Sequence, residues 1–151
     1  MMDYPELILR LLAATLIGSA IGLNRDLHGK PTGVRTLSLV GLGSALAVMA
    51  SFDFASGDIR DWNALSRAIQ GVITGIGFLG AGVIVRQVEG TRIHGITTAA
   101  CIWLTACLGI VCGIGAWRPV IVAGPIIIIV LVFGGPFEKA VRARLGQPDD
   151  D

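Results

Sequence analysis

The chain divides into five long apolar segments separated by short polar stretches. The segments lie at about 7–23, 34–52, 68–85, 95–114 and 119–135. Each is close to the roughly 17–25 residues that an α-helix needs to cross a bilayer core about 30 Å thick. None alternates with the period of two that is typical of a barrel strand. The pattern predicts an all-α polytopic membrane protein with about five transmembrane helices, in one domain over 1–135 followed by a short tail over 136–151.

The composition agrees with a membrane protein. Of the residues, 53% are hydrophobic and 15% charged, and the mean hydropathy is +0.73. A soluble domain carries about 25% charged residues, so there is too little charge here to cover a soluble surface. Glycine, at 21 of 151 residues, is abundant, as is common in membrane helices. The net charge of +1 gives no indication of nucleic-acid binding.

Lysine and arginine are unevenly distributed among the polar stretches, which predicts the orientation. Eight of the twelve lie at one end of the predicted bundle, in the first and third loops and the tail. The positive-inside rule then places the N-terminus outside and the C-terminus in the cytoplasm. The acidic second loop, with Asp53, Asp58 and Asp61, faces outward. The final "GQPDDD" reads as a disordered end.

A cluster of glycines occupies the third apolar segment, "GIGFLGAG" at 75–82. Its start matches G-x-G-x-x-G, but no strand precedes it and apolar residues lie on both sides, so it does not predict a nucleotide site. Two other uses stay open, namely close packing of helices and a bent or unwound turn lining a path. The residues concerned are Gly71, Gly75, Gly77, Gly80 and Gly82. The same small-xxx-small spacing relates Gly18 to Gly22 and Gly109 to Gly113.

Polar residues gather at the predicted cytoplasmic face. They lie in "GLNRDLHGKPTGVRT" and at the start of the fourth segment, and the cluster comprises Arg25, Asp26, Arg35, Thr36, Thr97 and Thr98. Arg35 has three possible uses: positive-inside anchoring, a pair with Asp26 or with helix-end carbonyls, and a contact to an anion. The threonines are expected to bond helix ends or neighbouring helices.

Catalytic and metal-binding patterns are missing from the sequence. Cys101, Cys107 and Cys112 lack a metal-ligand spacing, and they read as small apolar residues of a helix. The two histidines, His28 and His94, fall in separate loops. There is no Ser-His-Asp set, no carboxylate pair and no HExxH motif. We therefore expect no enzyme activity, no cofactor and no metal site.

Three stretches in register resemble the membrane domain of the MgtC/SapB family. They are "IGLNRDLHGKPTGVRTLSLVGLGSAL", "GIGFLGAGVIVRQVEGTRIHGITTAA" and the helix that follows. The family's first loop typically begins Glu-Arg-Glu, where this chain has Asn24, Arg25 and Asp26. Many relatives carry a C-terminal ACT-like domain after the membrane domain. The sequence in hand shows only the membrane domain and a short tail, so we expect it to resemble the short members.

The resemblance implies a multi-pass protein of the bacterial inner membrane, linked to magnesium limitation, acid stress or intracellular survival and virulence. It implies a regulator that binds other membrane proteins, such as the ATP synthase or a P-type ATPase, or a second copy, within membrane lipids. The alternative is a transporter or channel for Mg²⁺ or another ion, with the third segment lining its path. Because polar groups cluster at one face and few lie at depth, the sequence favours the regulator.

Overall fold

The computed structural model describes residues 3–53, 62–86 and 95–145. Over these ranges the chain forms five α-helices and no strand: α1 Tyr4–Leu27, α2 Val34–Asp53, α3 Trp62–Arg86, α4 Ile96–Ile114 and α5 Trp117–Arg144. All five are long and apolar enough to cross a membrane. The predicted all-α fold with five transmembrane helices is confirmed. The loops at 54–61 and 87–94 and the end at 146–151, which carry part of the charge pattern, lie outside the described residues.

Local sequence accounts for several helix ends. Pro5 stands in the first turn of α1, where its missing N–H would have no partner in the helix. Gly95 precedes α4 and Gly115 follows it, both in the left-handed conformation that glycine adopts without strain. The Gly115 N–H donates to the Cys112 carbonyl at 2.9 Å, which closes the last turn of α4. Helix α5 continues through Pro125 and Pro136, so the tail predicted from 136 onward begins inside this helix.

Helix α4 forms the centre of the bundle and packs against the other four helices. More than half of its span is buried, whereas only 6% of the apolar span of α5 is buried. The largest core cluster joins α1 through α4 and includes Ile21, Leu37, Ile76 and Ile102. The exposed apolar residues of α5 are what a bilayer-facing helix presents, because lipid solvates them as well as a protein core does.

Glycines allow α1, α2 and α4 to approach closely. An added Cβ at Gly41 would lie 2.6 Å from the Ala14 carbonyl oxygen, and one at Gly113 would lie 2.8 Å from the Ala45 carbonyl oxygen. At Gly22 it would lie 2.6 Å from the Val34 nitrogen. Gly18 and Gly109 are equally confined by backbone atoms of α2. We call this three-helix contact the tight interface; no side chain fits at these five positions unless the backbones separate.

Candidate functional site

The polar residues of the predicted cluster fall into two groups at one end of the bundle, which we call the basic end. It comprises the end of α1, the turn at 28–33 and the starts of α2 and α4. One group surrounds Arg25, between α1 and α4. The other lies on α2, at the mouth of a cleft between α2 and α3. The cluster that the sequence suggested is therefore two separate places.

Arg25 is buried, with 5% of its surface exposed, and it connects three parts of the chain. Its Nη2 donates to the hydroxyl of Thr98 on α4 and to the Pro31 carbonyl oxygen at 3.3 Å. Its Nε has no hydrogen-bond partner, and no carboxylate of the described residues pairs with it. A buried guanidinium is costly unless it is hydrogen-bonded, so these contacts hold the turn against α4.

Asp26 stabilises the start of α2 rather than pairing with an arginine. Its Oδ2 accepts a hydrogen bond from the Val34 N–H at 2.9 Å. This N–H is one of the first in α2, which have no acceptor within the helix, and a carboxylate is favoured at that end of a helix dipole. An added Cβ at Gly33 would collide with the same carboxylate. Asp26 thus fixes the path of the turn between α1 and α2.

Arg35 and Thr36 are exposed at the start of α2. The pair between Arg35 and Asp26 that the sequence allowed does not form; Asp26 bonds the backbone instead. Arg10 forms an ion pair with Glu6, at 2.7 Å. Arg35 and Thr36 instead line the cleft. Of the two threonines at the start of α4, Thr98 is buried beside Arg25 and Thr97 is exposed.

The cleft has a volume of about 490 Å³. Its α2 wall is Arg35, Thr36, Leu39, Val40, Gly43 and Ser44, and its α3 wall is Gly71, Val72, Gly75, Ile76 and Leu79. Apart from Arg35, Thr36 and Ser44 the lining is apolar. An added Cβ at Gly43, Gly71 or Gly75 would meet no atom within 4 Å. The missing side chains of these glycines leave the space that forms the cleft.

The glycine cluster of the third segment does not produce a broken helix. Helix α3 is continuous from Trp62 to Arg86. Gly80 is buried and packs on α4, with an added Cβ 3.5 Å from that of Ala99. Gly77 and Gly82, like the cleft glycines, have open space. Close packing within the chain therefore explains one of the five glycines that the sequence singled out.

Three features were not found from the sequence. Arg10 of α1 donates to the Gly113 carbonyl at 2.8 Å and so caps the end of α4. The hydroxyls of Ser19 and Ser38 bond each other at 2.8 Å across α1 and α2. Gly43 lines the cleft, although it stands only two residues from Gly41, which belongs to the tight interface. Arg10 and the two serines carried a signal, as charged or polar residues within apolar segments.

Comparison with known proteins agrees with this architecture. The model of the MgtC family matches residues 11–140. Protein SrpB of Synechococcus elongatus is 50% identical over 124 residues, which cover 77% of this chain and 68% of SrpB. Protein MgtC of Salmonella typhimurium is 38% identical over 128 residues, covering 85% of this chain and 52% of MgtC.

A third relative carries a name that mentions an ion. The putative magnesium transporter YhiD of Escherichia coli K12 is 44% identical over 116 residues, covering 75% of this chain and 53% of YhiD. The chain thus spans about half the length of MgtC and YhiD. No solved structure matches. The family match over most of the chain and the five apolar helices make this a multi-pass membrane protein that belongs to the MgtC family.

Proposed function

We propose that this chain is a regulator of other membrane proteins in the bacterial inner membrane, active under magnesium limitation, acid stress or intracellular survival. Membership of the MgtC family supports the link to magnesium, since one relative is named a putative magnesium transporter. The alternative, that this chain itself moves Mg²⁺ or another ion, rests on the same name. The chemistry of the described residues supports the regulator.

The acidic side chains argue against a path for a divalent cation. Mg²⁺ prefers oxygen ligands, and carboxylates are the strong ones. The acids whose side chains the structure describes are Asp3, Glu6, Asp26 and Glu138, near helix ends or outside the helices. Across the described ranges, no group of three or more His, Cys, Asp or Glu residues could hold a metal. The cleft, the obvious opening into the bundle, has an arginine at its mouth, which repels cations.

The main support for the proposal is a row of exposed residues on α3. Thr74, Phe78 and Ala81 follow one another at helical spacing, with Gly77 and Gly82 beside them, and all five are exposed. Phe78 is 81% exposed, next to glycines that meet no atom within 4 Å of an added Cβ. Small residues let another helix approach closely in a bilayer, where packing rather than hydrophobicity drives association. An aromatic side chain among them gives such a contact an anchor.

The test is co-reconstitution with the bacterial ATP synthase, the partner class that the family resemblance implies. We expect wild-type protein to reduce ATP-driven proton pumping in proteoliposomes. Gly77→Leu should abolish this effect because its side chain would keep a partner helix away. Gly124→Leu on α5, also in open space, is the matched control and should behave as wild type. The same vesicles, loaded with a Mg²⁺-sensitive dye, should show no flux above protein-free vesicles.

One result would overturn the proposal, and a second would remove one of its two partner classes. Mg²⁺ entry that requires the chain would make it a transporter. Unchanged pumping at saturating protein, with wild type and Gly77→Leu alike, would remove regulation of the ATP synthase. Repeating the measurement with a P-type ATPase then tests the second partner class.

A further inference from the structure

The cleft between α2 and α3 has the length of one lipid leaflet. It extends along α2 from Arg35 at the basic end to Ser44. These positions are nine residues apart, which corresponds to about 13 Å at 1.5 Å per residue. Half of a bilayer core of about 30 Å is about 15 Å. The cleft therefore runs from the membrane surface to about the middle of the bilayer.

The shape and lining of the cleft suit an acyl chain. It is a trough of about 490 Å³ between two helices, and most of its lining is apolar. The glycines of both walls, Gly43, Gly71 and Gly75, keep the trough open without a side chain crossing it. The apolar lining between its two ends offers an acyl chain the contacts it prefers.

The charge at the mouth is complementary to a phosphate. Arg35 is exposed, and no carboxylate of the described residues pairs with it. No acidic residue lines the cleft, and Thr36, which follows Arg35 on α2, also lines it. A guanidinium binds phosphate oxygens in a forked geometry, and a hydroxyl adds a further donor.

We propose that this cleft binds an anionic phospholipid, with one acyl chain between α2 and α3 and the phosphate against Arg35 and Thr36. The headgroup would then lie at the basic end, and the chain would end near Ser44. Such a lipid fills the gap that the glycines leave between the two helices. The proposal is independent of the regulator function, because neither Gly77 nor Phe78 lines the cleft.

The test measures lipid retention by the purified full-length chain in a neutral detergent, by native mass spectrometry. Phosphatidylglycerol and phosphatidylcholine with identical acyl chains are the probes. We expect one phosphatidylglycerol per chain, held about tenfold more tightly than phosphatidylcholine, because the choline cation beside the phosphate of phosphatidylcholine is repelled by Arg35. Arg35→Gln should remove this preference. Lys30→Gln, which changes an exposed cation outside the cleft lining, is its control and should keep the preference.

A second pair of variants tests the acyl-chain part. Gly75→Leu fills the cleft and should lose both lipids, with Gly43→Leu on the opposite wall as an independent version. Gly82→Leu, on the same helix in open space but outside the cleft, should retain phosphatidylglycerol. Thermal melting in the same detergent confirms that each variant is folded. The proposal would be overturned if the wild-type chain bound the two lipids equally. It would also be overturned if both cleft-filling variants retained lipid as strongly as the wild type does. A dimer that Gly75→Leu converts to a monomer, with lipid retention unchanged, would assign the cleft to a second copy instead.

Discussion

Helix α2 uses glycine in opposite ways on its two sides. Toward α1 and α4, Gly41 lies against the backbone of Ala14, with room for hydrogen only. Toward α3, Gly43 lines a cleft and meets no atom within 4 Å of an added Cβ. The two residues are neighbours in "GLGS", about 200° apart around the helix. The comparison shows that glycine can let two helices approach closely on one side and leave an open space between helices on the other.

The two sides also differ in their polar contacts. The tight interface carries hydrogen bonds between helices, from Ser19 to Ser38 and from Arg25 to Thr98. On the other side of α2, Arg35 is exposed and lines the cleft. The tight interface therefore combines backbone contact with hydrogen bonds, whereas α3 contributes apolar side chains such as Leu65 and Ile76 to the core clusters.

The largest expected effect on stability comes from replacing Gly41 and Gly43, the glycines on the two sides of α2. Gly41→Ala puts a methyl group where backbone atoms cannot move aside, and we expect a loss of about 3 kcal/mol, the upper end for overpacking. Gly43→Ala should be neutral or stabilise by up to about 1 kcal/mol through helix propensity. Unfolding in mixed micelles of sodium dodecyl sulfate gives both values. Similar losses for the two variants would contradict the difference between the sides.

A smaller effect is expected at the start of α4. Thr98→Val keeps the shape of the side chain but removes the acceptor for buried Arg25, so we expect a loss of about 2 kcal/mol, as for hydrogen bonds to charged groups. Thr97→Val, at the adjacent exposed position, should change stability by less than about 0.5 kcal/mol. The same unfolding measurement applies. A loss at Thr97 as large as at Thr98 would argue that Arg25 is not held by the threonine hydroxyl.

The smallest effect should come from the turn that joins α1 to α2. Asp26→Ala removes the acceptor for the Val34 N–H, and we expect a loss of about 1 kcal/mol, as for other helix-capping residues. Asp26→Asn keeps an oxygen acceptor and should lose less than half of that amount. Thermal melting of both variants checks the order. If alanine and asparagine are equally tolerated, the hydrogen bond to Val34 does not stabilise α2.

Most of the fold could be predicted from the sequence. The contacts of the candidate site could be predicted only in part. The predicted segments at 34–52 and 95–114 agree with α2 and α4 to within a residue, whereas α3 begins six residues earlier and α5 extends nine further. Polar and charged residues at the ends, such as Arg67 and Glu138, belong to helices that continue past the apolar run. The orientation, with the N-terminus outside, stays a prediction. Thr98 was singled out from the sequence, but its bond to Arg25 joins residues 73 positions apart.

The sequence by itself determined five membrane-spanning helices and their order. It could do so because the bilayer core offers no hydrogen-bond partner, so each apolar segment must satisfy its own backbone as a helix. Only the tertiary structure decided which glycines are confined and which are open, and that Arg25 is buried while Arg35 faces a cleft. These outcomes depend on how each helix is rotated against its neighbours. That rotation is set by the packing of the whole bundle, and small-residue spacings such as Gly18–Gly22 and Gly71–Gly75 look the same in the sequence.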